Sequence, residues 1–241
     1  MNPQAVPGIF VTGTNTGVGK TYVTACLART LRQRGVRVGV YKPVASGCVL
    51  HEGQWISEDA IALWEAAGRI GTWQAVCPQR FAAPLAPPLA AAAEGSAVDP
   101  ALLRSGLQYW LQHADLVLVE GAGGLMSPVT DHEFVADLAY DFGFPLLVVA
   151  PNTLGVINQT LQTLITAATF CDGLQVAGIV LNHPQSPQRD DLSLATNRAE
   201  LARCCVPPVL AEVAWQGQEF SEPVPWETLA QAGQRWDSHA G

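Results

Sequence analysis

The chain has 241 residues, 49% hydrophobic and 14% charged, which is ample material for a buried core and excludes a disordered chain. Thirteen Lys and Arg against 21 Asp and Glu leave a formal charge of −8, the opposite bias from a protein that coats nucleic acid or anionic membranes. No apolar run approaches the roughly 18–20 residues of a membrane span. The stretch Met1 to Gly8 lacks the basic and apolar regions of a secretory signal, so the expectation is a cytoplasmic protein with no nucleic-acid or membrane partner.

In chain order, Ile9–Thr12 is β-branched and aromatic and predicts a strand leading into a glycine-rich turn. Thr21 to Arg34 carries Val23, Leu27, Ala28 and Leu31 at helical spacing and closes at Gly35. Val36–Tyr41 predicts a second strand. Ser57 is placed to cap a helix over Glu58–Ala67, with acids in its first turn and Gly68 after it. Pro84, Pro87 and Pro88 predict an extended surface segment over Phe81 to Ala93. Asp99 and Pro100 then open a helix to His113. Strands follow at Leu116–Val119, which ends in Glu120, and at Leu146–Ala150 and Val176–Leu181. Helical stretches run from Val156 to Phe170 and around Asp191–Arg203, and Val209–Val213 predicts an edge or late strand. Continuous apolar strands imply burial on both faces, hence one doubly wound α/β domain over residues 1–241 with a mostly parallel sheet flanked by helices.

The six cysteines (Cys26, Cys48, Cys77, Cys171, Cys204, Cys205) form no C-x-x-C pair and predict buried thiols in a reducing compartment. The five histidines show no metal or triad spacing, so His51, His113, His132, His183 and His239 are expected to face solvent or cap helices.

The chemistry concentrates in three stretches. Gly13-Thr14-Asn15-Thr16-Gly17-Val18-Gly19-Lys20-Thr21 sits between the first strand and first helix, as a phosphate-binding loop does. Gly17 and Gly19 let backbone N–H groups approach phosphates, Lys20 supplies a mobile cation, and the Thr21 hydroxyl suits Mg²⁺. The spacing departs from G-x-x-x-x-G-K-T, because Gly13 comes one residue early. Second, Leu116–Val119 runs into Glu120-Gly121-Ala122-Gly123-Gly124, an acid ending a buried strand where nucleotide enzymes hold a metal. Third, Tyr41-Lys42-Pro43-Val44-Ala45-Ser46-Gly47 closes the second strand, whose carboxyl end faces the ligand crevice of a parallel sheet. Lys42 is either a surface charge or a second phosphate cation. Asp59 is either a partner of its helix dipole or a metal ligand.

These stretches, with Leu154-Gly155-Val156-Ile157-Asn158 and Gly178-Ile179-Val180-Leu181-Asn182, resemble the dethiobiotin synthetases nearly end to end. The resemblance implies a P-loop NTPase fold and a homodimer that converts 7,8-diaminononanoate, CO2 (or bicarbonate) and ATP to dethiobiotin, ADP and phosphate. It implies Mg²⁺ on Thr21, Asp59 and Glu120, and catalysis by Lys20 and Lys42. It implies ATP contacts from Gly17, Val18, Gly19, Lys20, Thr21, Tyr22, Asp59, Glu120, Gly121, Ala122 and Gly123. Asn182, His183, Val213, Ala214 and Trp215 are implied around the adenine. Thr16 and Ser46 are implied near the substrate, with Leu154, Gly155, Val156, Ile157 and Asn158 receiving its carboxylate across the dimer. Two positions depart from the common pattern: Asn15 stands for an aspartate, and Pro88 for a histidine. A nucleotide-switch ATPase of the partition type is the rival of another class, but its additional early P-loop lysine is absent at Thr14-Asn15. A cobalamin-pathway amide synthase would need a glutaminase domain for which 241 residues leave no room.

Overall fold

The computed structural model describes residues 6–186 and 192–231. The elements follow in order as β1 (Gly8–Gly13), α1 (Lys20–Gln33), β2 (Val38–Tyr41), β3 (Val44–Ala45), β4 (Val49–His51), β5 (Gln54–Ile56), α2 (Glu58–Ala66) and α3 (Trp73–Val76). Then come β6 (Gln79–Arg80), α4 (Pro87–Ala93), α5 (Pro100–His113), β7 (Leu116–Gly124), α6 (Val135–Phe142) and β8 (Leu146–Pro151). The last described elements are α7 (Val156–Thr169), β9 (Val176–Asn182), α8 (Leu192–Cys204), β10 (Val209–Val213) and α9 (Trp226–Gln231). The predicted opening of α8 at Asp191, the first residues of the expected signal-free stretch (Met1 to Ala5) and His239 lie outside the described residues.

Six strands form a central sheet in the order β10-β9-β8-β1-β7-β2, and every pairing is parallel. β1 is buried along its whole length and β8 through Ala150, because continuous apolar strands must be covered on both faces. Ile9, Phe10 and Val11 of β1 and Leu118 and Val119 of β7 are at the centre of that core, fully removed from solvent. Chain order reverses around β1, so the loops leaving β1, β2 and β7 gather at one rim of the sheet. That rim is where open parallel sheets bind ligands.

The predicted caps form. Ser57 Oγ accepts from Ala60 N–H at 3.2 Å, and Asp99 Oδ1 accepts from Ala101 and Leu102 N–H at 2.8 and 3.1 Å. β10 is one of the sheet's two edge strands, in line with the expected edge or late strand. The proline-rich segment departs from expectation. Instead of running extended through Ala93, it turns into α4 with Pro87 and Pro88 in the first turn. Proline fits there, since its missing N–H has no intrahelical partner at a helix start, and the alanines behind it are strong helix formers. The cysteines also split: Cys26, Cys48 and Cys77 are buried, Cys204 and Cys205 half-buried, and Cys171 exposed, all as free thiols. The thiols expected to be buried are therefore only the first three.

Candidate active site

The phosphate-binding loop joins β1 to α1, and two contacts fix it from outside. Thr14 N–H donates to Val149 O at 3.0 Å, tying the loop to β8. Asn182, at the end of β9, donates its side-chain amide to Val18 O at 3.0 Å. Gly19 turns with φ +92 directly against that amide; a Cβ there would lie 2.1 Å from Asn182 Nδ2, so neither the conformation nor the space admits a side chain. The glycine thus serves both the turn and the close approach of β9.

Lys20 opens α1 and is 7% exposed. Its ammonium donates to Asn15 O at 3.2 Å and has no carboxylate within ion-pair distance among the described residues. Burial pulls its pKa down to about 8, with Lys42 adding to the fall and Glu120 and Asp59 opposing it.

The adjoining wall is built by strand register. Tyr41 of β2 pairs with Val119 of β7, so the next residues, Lys42 and Glu120, emerge side by side at the rim. Lys42 Nζ lies 2.6 Å from Glu120 Oε1 and 3.1 Å from Asp59 Oδ2, the latter brought in by the first turn of α2. Burial acts to lower the Lys42 pKa, but Glu120 and Asp59 outweigh it and hold the ammonium above the ordinary lysine value. Burial likewise pushes the Asp59 carboxyl up, and Lys42, Thr21 and Lys20 more than reverse it, leaving it below its usual range. Thr21 Oγ1 donates to Glu120 Oε1 at 2.8 Å.

Glu120 is wholly buried, and its second oxygen, Oε2, has no hydrogen-bond partner. An orphaned carboxylate oxygen in a low-dielectric site is costly unless a cation completes it. Thr21 Oγ1, an Asp59 oxygen and Glu120 form an all-oxygen donor set beside the phosphate loop, the chemistry that suits Mg²⁺.

A cleft of about 850 Å³ joins the two walls. Thr16, Gly17, Gly19, Lys20, Thr21, Tyr22, Lys42, Ser46, Asp59, Glu120, Ala122 and Gly123 all line it, so the structure gathers most of the residues singled out by sequence. Val18 and Gly121 are buried behind this surface. Asn182 and His183 lie at the loop's far side, where His183 N–H donates to Val213 O at 2.9 Å. The His183 ring does not face solvent freely: its Nε2 lies 2.7 Å from Glu212 Oε2 and 3.3 Å from Asn152 Nδ2. Ala214 and Trp215 follow β10, and Tyr22 Oη donates to Gly217 O across from them at 2.8 Å. Leu154 to Asn158 do not line the cleft; Leu154 is 87% exposed and Gly155 precedes α7 as its N-cap with φ +95.

Sequence reasoning missed part of the cleft. Leu85, Ala86 and Pro87 also line it, delivered by the turn into α4. Ser127 Oγ accepts from Gly124 N–H at 2.9 Å and braces the glycines after Glu120. The proline cluster signalled a special segment at Leu85–Pro87, while Ser127 carried no local signal.

A strand–glycine loop–helix unit at the carboxyl rim of a parallel sheet, with a buried Lys and strand-end acid, defines a P-loop nucleotide-binding protein. Solved structures agree on the fold. The signal recognition particle receptor FtsY from Elizabethkingia anophelis, in complex with GDP, is 18% identical with a TM-score of 0.52, the match covering 98% of this chain and 66% of FtsY. A ParA family ATPase from Chlorobium tepidum is 16% identical with a TM-score of 0.52, over 89% of this chain and 86% of the other. A family model described as an AAA domain matches residues 7–219.

The curated relatives are more specific. ATP-dependent dethiobiotin synthetase of Rhodopirellula baltica is 47% identical over 85% of this chain and 82% of its own length. The enzyme of the same name from Anaeromyxobacter dehalogenans is 44% identical over 87% and 90%, and that from Anoxybacillus flavithermus 40% over 76% and 81%. The chain belongs to the ATP-dependent dethiobiotin synthetase family.

Proposed function

We propose that this chain acts as a single ATP- and Mg²⁺-dependent domain that closes the ureido ring of dethiobiotin from 7,8-diaminononanoate and CO2, releasing ADP and phosphate. The observation that carries the reading is Lys42, buried at the rim of the cleft that holds Lys20 and clasped by Glu120 at 2.6 Å and Asp59 at 3.1 Å.

One amine of the substrate adds to CO2 and loses a proton, giving a carbamate. A carbamate oxygen attacks the γ-phosphorus of ATP, and the bond to the β-phosphate oxygen breaks to release ADP. The second amine then attacks the carbonyl carbon of the carbamic–phosphoric anhydride, phosphate leaves, and the ring closes. The difficult approach is the first, of one anion to another. At contact distance and an effective dielectric of about 20, two unit charges repel by about 4 kcal/mol.

Lys20 and Lys42 supply the compensating charge from adjoining walls of the cleft, and the glycine loop adds backbone N–H dipoles. Among the described residues Lys20 is held only by a carbonyl, which leaves it available to the β- and γ-phosphates. Lys42 exchanges carboxylate partners for the transferring phosphoryl oxygens. Thr21, Asp59 and Glu120 would hold Mg²⁺, which when bound neutralises charge on the phosphates. No protein nucleophile enters the scheme, so catalysis is positioning and electrostatics.

Asn182, His183 and the Val213–Trp215 segment take the adenine, which the contact of His183 with Val213 supports by bringing both stretches together. The Thr16 and Ser46 hydroxyls face the diamine. The substrate carboxylate is received by Leu154 to Asn158 of a second copy in a homodimer. The start of the 14-residue α7, which has no side-chain cap, and the exposed Leu154 support that placement.

Incubation with 7,8-diaminononanoate, bicarbonate, Mg²⁺ and ATP tests the whole reading. Dethiobiotin detected by mass, with ADP formed in equal amount, is the expected result. ATP turnover indifferent to the diamine would instead favour a nucleotide-switch ATPase.

A further inference from the structure

Beside the ATP cleft, α1 and α2 leave a second groove of about 540 Å³, within the range of small-molecule sites. Along α1 its wall runs from Tyr22 through Ala25 to Arg29 and Arg32, and α2 supplies Ala62, Glu65 and Ala66. Thr21 borders both cavities. One end is therefore cationic, and the floor between is methyl groups.

The two arginines are unusual in this chain. The other described arginines have carboxylate partners, except Arg80, which donates to the carbonyls of Trp55 and Cys77. Arg29 and Arg32 have no carboxylate within ion-pair distance among the described residues. Arg29 Nε is buried with no hydrogen-bond partner, and its Nη2 reaches only the Cys26 thiol at 3.3 Å, a weak acceptor. A chain with a net charge of −8 has carboxylates to spare, yet leaves two guanidiniums open on one groove.

Two guanidiniums without carboxylate partners, at the end of an apolar floor, are chemically complementary to an anion with an apolar body. Glu65 stands in the same wall, paired with Arg69 at 2.6 Å, and repels a second negative charge more than a first. That balance favours a monoanion over a phosphate dianion. We propose that the α1–α2 groove is an accessory site for a medium-chain monocarboxylate, with its alkyl chain over Ala25, Ala62 and Ala66 and its carboxylate on Arg29 and Arg32. The groove adjoins the ATP cleft, with Thr21 and Tyr22 bordering both, and its anion end at Arg29 and Arg32 lies outside the cleft's lining. It touches the cleft through α2, which carries Asp59 one turn before Ala62.

Calorimetric titration of the full chain with octanoate tests this, with octylamine and AMP as the other ligands. Octanoate binds, octylamine does not, and AMP does not displace octanoate from the groove. The paired substitution Arg29→Gln and Arg32→Gln weakens octanoate by about tenfold or more, the loss expected for charge-assisted hydrogen bonds. Saturation with a non-hydrolysable ATP analogue leaves octanoate affinity within a few-fold. Absence of octanoate binding, equal affinity in the paired variant, or full competition by the ATP analogue would each overturn the assignment. Retained ATP-analogue affinity in the paired variant shows that the fold is intact. Because titration reads binding and not turnover, the outcome is independent of whether the chain makes dethiobiotin.

Discussion

The two walls of the cleft hold one buried lysine each, and the lysines are treated oppositely. On the phosphate-loop side, Lys20 is 7% exposed with a single carbonyl at 3.2 Å, and its pKa falls to about 8. On the β2–β7 side, Lys42 is 5% exposed between two carboxylates, and its pKa is raised. Equal burial gives opposite electrostatics because the partners differ. Lys20 is a cation kept short of counter-charge, ready for an incoming anion. Lys42 is a cation stored in a closed pair, which must be released before it can act elsewhere.

Removing counter-charge from the closed wall produces the largest stability effect. Glu120→Ala leaves Lys42 buried with Asp59 alone and costs about 3–5 kcal/mol in chemical denaturation. A loss below about 1 kcal/mol would mean that the Lys42–Glu120 pair is not maintained in solution.

On the open wall the sign reverses. A pKa drop from 10.5 to about 8 corresponds to about 3 kcal/mol of unfavourable charge burial, so Lys20→Met raises the stability of the nucleotide-free protein by about 2–3 kcal/mol while abolishing ATP turnover. The pH dependence follows from the same shift. Between about pH 8 and 10.5 the unfolded chain binds more protons at this lysine than the folded one, so its burden is full below pH 8 and relieved as pH rises towards 10.5. Melting curves of wild type and Lys20→Met should therefore converge over that window. Parallel curves would show that Lys20 is not desolvated.

Smaller effects sharpen the contrast. Thr21→Val removes a hydroxyl from the proposed Mg²⁺ set and the hydrogen bond to Glu120, costs about 1 kcal/mol of stability, and shifts the Mg²⁺ activation curve upward. Overlaid activation curves would remove Thr21 from the metal set. Asn182→Ala frees the Val18 carbonyl from its clasp and weakens ATP binding by about tenfold. An unchanged ATP affinity would make that clasp incidental.

The open wall was legible in the sequence because it is local. Gly17, Gly19, Lys20 and Thr21 lie within a few residues of each other, and a strand before and a helix after suffice to place them. The closed wall was not legible in the same way. Lys42 and Glu120 are far apart in sequence, and only the adjacency of β2 and β7 and the pairing of Tyr41 with Val119 bring them together. Local rules therefore left Lys42 undecided between surface charge and site residue, and Asp59 between helix dipole and ligand. The family resemblance supplied what register would have supplied.

The fold shows the same division. Strands with continuous apolar runs and helices with Ser57 or Asp99 caps stood out, since each signal is contained in the element itself. α4 did not, because prolines that break a helix interior are compatible with its first turn. α6 also escaped notice. Its start at Phe134 depends on Asp137 Oδ2 accepting the Phe134 N–H at 2.7 Å, a cap without the usual Ser, Thr or Asp in front. The hairpin of β4 and β5 is largely exposed and has little apolar alternation to read.

The most direct test of the stored-cation account is Lys42→Ala, measured for ATP affinity and turnover together. Since Lys42 is held by carboxylates before the reaction begins, ATP should bind within a few-fold of wild type, while kcat falls by about 10²–10³-fold. An unchanged kcat, or a loss confined to ATP affinity, would contradict it.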